Sequence, residues 1–111
     1  MARILRGDIR WADLGPARGH VQAGNRPVLV LSADVFNERT GTVVAVALTS
    51  REPRAGFPLS LEIPAAGLPR RSWALIGQIA TFSADCLGRR LARASEEELA
   101  QIVEGLNEIV G

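Results

Sequence analysis

A polar loop runs into an apolar segment in Arg18-Gly19-His20-Val21-Gln22-Ala23-Gly24-Asn25-Arg26-Pro27-Val28-Leu29-Val30-Leu31. Glycine permits tight bends and a close approach of the backbone to a ligand, and proline fixes the backbone where the apolar part begins. The run Pro27–Leu31 is apolar and rich in valine, which predicts a buried strand. Arg26 therefore precedes a rigid strand at the end of a loop, where a sheet can direct its guanidinium at a phosphate.

Further strands are predicted on both sides of this stretch. Asp8–Asp13 alternates apolar with polar residues, as a half-buried strand does, and Thr42–Leu48 is a continuous apolar run typical of a buried strand. Strict alternation in Leu59–Ile63 predicts an outer strand with one wet face. The other elements expected before the C-terminal segment are a helical turn at Ala33–Asn37, a loop at Glu38–Gly41, an apolar strand at Ser72–Ile79 and a short strand at Arg89–Ala92.

The last segment is predicted to be one amphipathic helix. Ser95 and Glu98 have the spacing of a capping box. Gly105 weakens this helix by roughly 1 kcal/mol relative to alanine, which packing can offset. The apolar residues that recur on one helix face, and that we expect to pack on the sheet, are Leu99, Ile102, Val103, Leu106, Ile109 and Val110. The whole pattern predicts an α+β domain, with a small, strongly bent antiparallel sheet and a C-terminal helix packed on it.

Length and composition indicate a single globular domain over residues 1–111. No apolar run approaches the roughly 18–20 residues of a membrane-spanning helix, and Met1–Arg6 lacks the apolar core of a signal peptide. The single cysteine, Cys86, excludes an internal disulfide and a multi-cysteine zinc site. We therefore expect a cytoplasmic protein without a membrane segment. We also expect Trp11 and Trp73 to lie in the core or at an interface.

Charge is distributed unevenly along the chain. Residues 1–82 carry ten arginines and six acids, whereas residues 83–111 carry three arginines and six acids. A basic body with an acidic terminal helix suits a polyanion-binding face away from that helix, although ordinary scatter explains the asymmetry equally well.

A series of short segments, in this order and with this spacing, resembles the MazF/PemK toxins, also called Kid-type, of bacterial type II toxin–antitoxin pairs. The resemblance covers nearly the full length and implies an SH3-like barrel and a homodimer. The segments that carry it are Arg6–Trp11, Asp13–Pro16, Arg18–Leu31, Ser32–Asn37, Ala47–Ser50, Ala55–Phe57 and Gln78.

The resemblance implies a metal-independent endoribonuclease that needs no cofactor and cuts single-stranded RNA, such as mRNA, within a short recognition sequence. In that reaction the ribose 2′-OH attacks the neighbouring phosphate and leaves a 2′,3′-cyclic phosphate and a 5′-OH. The chemistry needs charge stabilisation, a proton acceptor and a proton donor, but no metal, because the nucleophile is internal. The implied partner is a MazE-like antitoxin whose acidic, disordered segment covers the RNA groove.

By position, Arg26 matches the family's catalytic arginine and Thr49 its catalytic threonine. A guanidinium forks onto phosphate oxygens but stays protonated, so it is a poor base. The only histidine, His20, is the candidate general base or acid. Each residue also has a plain structural reading: Arg26 as a solvated or paired cation, Thr49 as a strand-end residue, and His20 as an exposed loop residue.

Six further residues are candidates for contacts to RNA bases or backbone. Phe57, as a loop aromatic, can either stack on an unpaired base or fill the barrel. Ser50, next to the candidate threonine, is expected to bind or orient the substrate. The six residues are Gln22, Gly24, Asn25, Ser50, Phe57 and Gln78.

Several positions depart from the family pattern. Family members commonly carry an acid where this chain has Val21, and another where it has Gly77. The Kid branch has an arginine at the position of Leu75, and a basic residue is common at that of Ala80. Proton abstraction then falls to His20, to water or to another residue. These departures leave open a second interpretation, a non-catalytic RNA- or antitoxin-binding module on the same fold. A third interpretation, a gyrase-directed toxin of the related CcdB fold, is disfavoured by the Gly-x-Arg-Pro and Leu-Thr-Ser elements.

Overall fold

The computed structural model describes residues 3–15, 24–64 and 67–111. None of the helices within these ranges is long and apolar enough to cross a bilayer. The elements, in chain order, are β1 (Asp8–Asp13), β2 (Asn25–Val30), α1 (Asp34–Thr40), β3 (Thr42–Thr49), β4 (Leu61–Ile63), β5 (Ser72–Ala74), a 3₁₀ turn (Ile76–Gln78), β6 (Ala80–Ser83), a second 3₁₀ turn (Ala84–Cys86), β7 (Leu87–Arg93) and α2 (Glu96–Val110).

The strands form one strongly curled antiparallel sheet. Their order is β4-β5-β3-β2-β1-β7, and β6 also pairs with β3. Strand β3 is central to the curl, because its first half pairs with β6 and its last two residues pair with β5. The predicted α+β architecture, a bent antiparallel sheet with a C-terminal helix, is confirmed.

Each face of the curled sheet carries its own apolar core. One core joins Ile9, Leu29 and Leu48 of the sheet to Leu99 and Ile102 of α2. The other is built from the alternate residues of β1, β2 and β3, and Phe82 and Leu87 pack against it. Strands β2 and β3 are thus buried on both faces, which explains why their sequences are continuously apolar rather than alternating.

Helix α2 begins as predicted. The Oγ of Ser95 accepts a hydrogen bond from the N–H of Glu98 at 3.1 Å, and Oε1 of Glu98 accepts one from the N–H of Ser95 at 2.7 Å. The apolar stripe packs on the sheet in its first half, where Leu99 and Ile102 are buried, whereas Ile109 near the C-terminus is 40% exposed. Leu106 also packs against this core, so the expected packing is confirmed as far as Leu106.

The predicted strand at Leu59–Ile63 is shorter than expected and begins only at Leu61. The N–H groups of Leu59 and Ser60 both donate to the carbonyl of Gly56, at 2.9 and 3.3 Å, so this part of the chain is a turn. Alternation of apolar and polar residues is local and does not reveal this turn, which is why the prediction was too long.

The apolar run Ser72–Ile79 is a strand only as far as Ala74. The 3₁₀ turn follows, and its Ile76 is fully buried in the core beneath α2. The chain then returns as β6, which pairs with β3 and was not predicted. The apolar composition correctly indicated burial, but part of that burial is against a helix rather than within a strand.

The limits of β1 were predicted correctly, and the limits of α1, β2, β3 and β7 were off by one to three residues. Helix α1 continues to Thr40, so the loop predicted at Glu38–Gly41 is wrong for its first three residues. The helix ends at Gly41, whose φ of 67° is readily adopted by glycine and whose N–H donates to the carbonyl of Asn37 at 3.0 Å. Strand β2 begins two residues before Pro27, and β7 exceeds the predicted short strand at both ends.

Candidate active site

Arg26 and Thr49 lie at the ends of two neighbouring strands. Arg26 is the second residue of β2 and pairs with Ala12 of β1. The last β2–β3 pair joins Val28 to Ala47, two residues from Arg26 on β2 and two residues from Thr49 on β3, so Arg26 and Thr49 lie at the same end of neighbouring strands. Because side chains alternate along a strand and paired residues share a face, both residues belong to the face of Val28 and Ala47.

A groove of about 540 Å³ opens beside Arg26. Its lining combines the two arginines Arg26 and Arg70 with Ser50 and Asn25. Arg26 is half-buried, whereas Arg70 and Ser50 are exposed. Two guanidiniums in one groove favour the binding of phosphate oxygens. The structure therefore brings four of the predicted site residues together: Gly24, Asn25, Arg26 and Ser50.

The hydroxyl of Thr49 is held at the end of β3, between two residues that line this groove. Its Oγ1 accepts a hydrogen bond from the N–H of Arg51 at 3.2 Å. A hydroxyl that accepts one hydrogen bond keeps its own hydrogen for donation. The described residues that line the groove do not include Thr49 itself, so its contact with a phosphoryl oxygen stays a prediction.

Gln78 and Phe57 do not line the Arg26 groove. Gln78 lines a smaller groove of about 270 Å³, together with Leu59 and Gly77. Phe57 is 44% exposed, and its ring lies against α2, 3.2 Å from the position that a Cβ at Gly105 would take. Phe57 thus packs on the helix rather than filling the barrel, and its contact with a base stays a prediction.

Two predicted site residues, His20 and Gln22, lie outside the described ranges, as does the departure at Val21. The chain leaves the described part after Gly15 and re-enters it at Gly24, whose N–H donates to the carbonyl of Gly15 at 2.9 Å. Gly24 itself lines the Arg26 groove. Both ends of the segment that carries His20 are therefore anchored beside the groove, and its role stays a prediction.

Arg70 lines the groove but was not among the predicted site residues. Its carbonyl accepts a hydrogen bond from Oγ of the buried Ser72 at 2.9 Å, which fixes the backbone just before β5. The signal that points to it is the Pro69-Arg70-Arg71 sequence before an apolar run. Like Arg26, it is an arginine where a loop meets a strand, but only the fold reveals that the two share a groove.

The guanidinium of the adjacent Arg71 contacts Glu62 and Trp73 rather than the groove. Its Nη2 donates to Oε1 of Glu62 at 3.0 Å, and its guanidinium lies 4.8 Å from the ring centroid of Trp73. These hydrogen bonds lower the pKa of Glu62 and raise that of Arg71. Trp73 is buried, which confirms its predicted place in the core, whereas Trp11 is half-buried and lines the Arg26 groove.

Two of the family positions that are substituted in this chain, Leu75 and Gly77, line the smaller groove. A Cβ on Gly77 would stand 3.2 Å from Cδ2 of Leu59, closer than ordinary van der Waals contact. An acid at residue 77 therefore requires Leu59 to move. Leu75 lines the same groove, and Ala80 is half-buried in β6. Within the described ranges, no group of three or more His, Cys, Asp or Glu could hold a metal ion.

Sequence comparisons match nearly the whole length of this chain to one protein family. A family profile described as PemK-like, MazF-like toxin of type II toxin-antitoxin system matches residues 5–110. Endoribonuclease EndoA of Bacillus subtilis is 34% identical over 105 residues, which cover 93% of this chain and 90% of EndoA. Endoribonuclease MazF6 of Mycobacterium tuberculosis is 34% identical over 110 residues, 96% of each chain.

Solved structures have the same fold. MazF from Deinococcus radiodurans superposes with a TM-score of 0.86 at 29% identity, covering 100% of this chain and 99% of that one. A MazE–MazF structure from the same organism gives a TM-score of 0.80 at 27% identity, with 100% and 98% covered. A mycobacterial endoribonuclease in complex with its cognate antitoxin gives 0.76 at 27% identity, with 100% and 96% covered.

Proposed function

Because this chain belongs to the PemK-like, MazF-like toxin family of type II toxin–antitoxin systems, we propose that it is an endoribonuclease that cleaves single-stranded RNA. The observation that carries the proposal is the position of Arg26 and Thr49 at adjoining strand ends, beside a groove that also contains Arg70. The substrate is cellular mRNA in the cytoplasm, cut within a short recognition sequence. Similarity to EndoA and MazF6 over at least nine tenths of each chain supports this reaction class.

The proposed reaction proceeds without a metal, because the attacking ribose 2′-OH is already next to the phosphate. Attack forms a five-coordinate phosphorus, and departure of the 5′ oxygen leaves a 2′,3′-cyclic phosphate and a 5′-OH. Arg26 donates to the non-bridging oxygens, on which negative charge accumulates as the transition state forms. Thr49 donates its hydroxyl hydrogen to a phosphoryl oxygen, and Ser50 orients the same phosphate.

Proton transfer is assigned to His20. An imidazole titrates near neutral pH, so it can accept the proton of the 2′-OH and return one to the leaving oxygen. Arg26 is unsuited to this step because a guanidinium stays protonated. The anchoring of Gly15 and Gly24 beside the groove supports the assignment, since it keeps the ends of the histidine segment close to the phosphate site.

A groove with two arginines also suits an acidic peptide. MazF of Deinococcus radiodurans has been solved together with MazE, and a mycobacterial endoribonuclease with its cognate antitoxin. We therefore assign to this chain a MazE-like antitoxin, whose acidic and otherwise disordered segment covers Arg26 and Arg70. Such a segment excludes RNA because carboxylates and phosphates compete for the same guanidiniums.

Exposed apolar side chains around the C-terminal half of α2 support a homodimer. We call these five residues the α2 patch: Phe57, Leu59, Ile79, Ile109 and Val110, with exposures from 38% to 79%. The segments that carry them are adjacent, since Gly105 of α2 lies against Phe57 and Gly77 lies against Leu59. An apolar surface that continues a helix stripe beyond the core is typical of an interface, and a second copy of this chain is the proposed occupant.

A non-catalytic RNA-binding module is the second candidate function. Glycine at residue 77 and leucine at residue 75 favour it, because the acid and the arginine that the family pattern provides there are absent. This candidate predicts that the protein binds RNA and leaves the strand intact, whereas the ribonuclease predicts both binding and cleavage.

The deciding experiment incubates the protein with long single-stranded RNAs that cover all short sequence contexts, in EDTA, and maps the cut ends. We expect discrete cuts ending in 2′,3′-cyclic phosphate. Arg26→Ala should reduce cleavage by about 10²–10³-fold while leaving the fold intact, because a transition-state charge contact is lost. Arg39→Ala is the matched control, since Arg39 is exposed in the last turn of α1.

Two results would overturn parts of this proposal. Cleavage by Arg26→Ala at the wild-type rate would remove Arg26 from the catalytic site, and cleavage that stops in EDTA would contradict the metal-free reaction. Intact RNA in every sequence context, with RNA binding still measurable, would leave the binding module as the function.

A further inference from the structure

The Arg26 groove holds two positive charges and, among the described residues that line it, no acid. Arg26 and Arg70 are the charged members of that lining, and the other lining side chains are apolar or uncharged. Two like charges in one groove repel, so an anion between them lowers the electrostatic energy of both. In the proposed reaction Arg26 contacts the cleaved phosphate, which leaves the second arginine without a role.

The guanidinium of Arg70 is available to a ligand. Its side chain is exposed, and within residues 3–15, 24–64 and 67–111 the guanidinium makes neither a hydrogen bond nor an ion pair. All of its N–H donors can therefore turn to an anion in the groove. A guanidinium forks onto two oxygens at once, which matches the geometry of a phosphate.

The nearby acids contact the adjacent Arg71 instead. Nη2 of Arg71 donates to Oε1 of Glu62 at 3.0 Å, and its Nε donates to the other oxygen of the same carboxylate. The hydrogen bond with Glu62 and, more weakly, the charge of Glu52 raise the pKa of Arg71. Neither of these acids lines the groove, so the positive charge of Arg70 is not offset there.

The backbone that carries Arg70 is anchored on its C-terminal side. Oγ of the buried Ser72 donates to the carbonyl of Arg70 at 2.9 Å. The next guanidinium, that of Arg71, lies 4.8 Å from the ring centroid of the buried Trp73. Because these contacts fix the start of the side chain, Arg70 loses less conformational freedom on binding than a residue of a mobile loop would.

The order of the strands places Arg70 across β3 from Arg26. Strand β3 is antiparallel to both β2 and β5, so the start of each of these strands flanks the end of β3. Arg26 is the second residue of β2, and Arg70 stands two residues before β5. The strands β2 and β5 are two strand spacings apart, or roughly 10 Å. Two successive phosphates of one extended RNA strand can therefore occupy the two guanidiniums, with Ser50 between them.

We propose that Arg70 binds the phosphate next to the cleaved one and determines how tightly RNA is held rather than how fast it is cut. The inference rests on the proposed ribonuclease function and deepens it by assigning the two arginines to two different phosphates. A neighbouring phosphate keeps the same charge throughout the reaction. Its contact with Arg70 therefore stabilises the bound substrate and the transition state equally, and its loss raises KM without lowering kcat.

Steady-state cleavage of a short RNA that contains the mapped cleavage site tests this assignment. Arg70→Gln should raise KM about threefold to fivefold at constant kcat, as expected for one exposed charge contact. On the same RNA with 2′-deoxyribose at the cleaved nucleotide, it should reduce the slope of log K against log salt by about 0.7. Arg70→Lys keeps the charge and should keep the slope. Arg39→Gln removes an exposed arginine of α1 that does not line the groove, so it should change neither quantity.

Neutral linkages in the RNA identify the phosphate that Arg70 contacts. A methylphosphonate replaces, one at a time, the phosphate on each side of the cleaved bond. At one of these two positions the neutral linkage should itself raise KM. On that RNA Arg70→Gln should have no further effect, because the contact is already absent, whereas it should keep its full effect on the other RNA.

Three results would be decisive against parts of this scheme. A fall in kcat of Arg70→Gln at constant KM would place Arg70 on the reacting phosphate and overturn the assignment. Additive effects of Arg70→Gln and the neutral linkage at both positions would exclude a contact with either neighbouring phosphate. Protein that cleaves no RNA would instead refute the proposed function, so the failures are distinguishable.

Discussion

Replacing Gly105 by alanine has two opposing effects on the free energy of unfolding. Alanine favours the interior of a helix over glycine by about 1 kcal/mol. The new Cβ, however, would stand 3.0 Å from Cδ1 of Ile76, 3.1 Å from the carbonyl oxygen of Pro58 and 3.2 Å from Cε2 of Phe57. Ile76 is fully buried and the Pro58 contact is backbone, so neither neighbour can withdraw by changing a rotamer.

The steric effect should be the larger of the two. Forcing an extra carbon into a well-packed site costs about 1–3 kcal/mol. Taking about 2 kcal/mol for three contacts of this closeness, and subtracting the helix gain, leaves a net destabilisation of about 1 kcal/mol. For a domain of this size, that corresponds to a fall of about 4 °C in melting temperature.

Urea unfolding followed by circular dichroism, at one fixed protein concentration, measures the effect. The midpoint should fall while the m value stays constant, as expected when only the stability of the native state changes. Asn107→Ala is the matched control, because Asn107 is exposed on the same helix and should gain roughly 0.6 kcal/mol of helix propensity without a new contact. If Gly105→Ala is stabilised as much as the control, the close packing of α2 on the Phe57–Pro58 segment is wrong.

Two further predictions concern the active site and the dimer. Thr49→Val keeps the shape of the side chain but loses the hydroxyl, so kcat for RNA cleavage should fall at least about 10²-fold. Thr49→Ser, which keeps a hydroxyl, should retain most activity. Full activity of the valine variant in the cleavage assay would contradict the role of Thr49. Val110→Glu introduces a charge into the α2 patch and should convert the dimer into a monomer in analytical ultracentrifugation. Gln101→Glu adds the same charge elsewhere on the helix and should leave the dimer intact. A dimer that survives Val110→Glu would exclude the patch as the interface.

Local patterns in the sequence were sufficient for the elements that depend on local interactions. The capping box at Ser95 and Glu98 joins residues three apart, so it could be read from the sequence and starts α2 as predicted. Alternation in β1 and the continuous apolar run of β3 likewise gave nearly correct strand limits. The 3₁₀ turn at Ile76–Gln78 and strand β6 were missed, because both depend on partners far along the chain: α2 for the buried Ile76 and β3 for β6.

The candidate site likewise has features that the sequence reveals and features that depend on contacts between distant segments. The sequence identified Arg26 and Thr49 individually, through their matches to a family pattern, but the pairing of β2 with β3 brings them to the same end of neighbouring strands. Arg70 joins them only because β5 pairs with the end of β3, which brings a residue from a distant segment to the same groove. No local pattern encodes that proximity.

By itself, the sequence determined the fold class, the terminal helix and the chemical character of the candidate site. The fold class and the helix follow from periodicity and capping, which act over a few neighbouring positions, whereas the site residues were identified through their match to a family pattern. Only the tertiary structure decided which arginines share a groove, that Gly105 permits close packing of α2, and that three arginines surround the buried carboxylate of Asp8. The physical reason is that a curled sheet brings together residues of distant segments through strand pairing, and pairing is selected by the packing of the whole core rather than by any one segment.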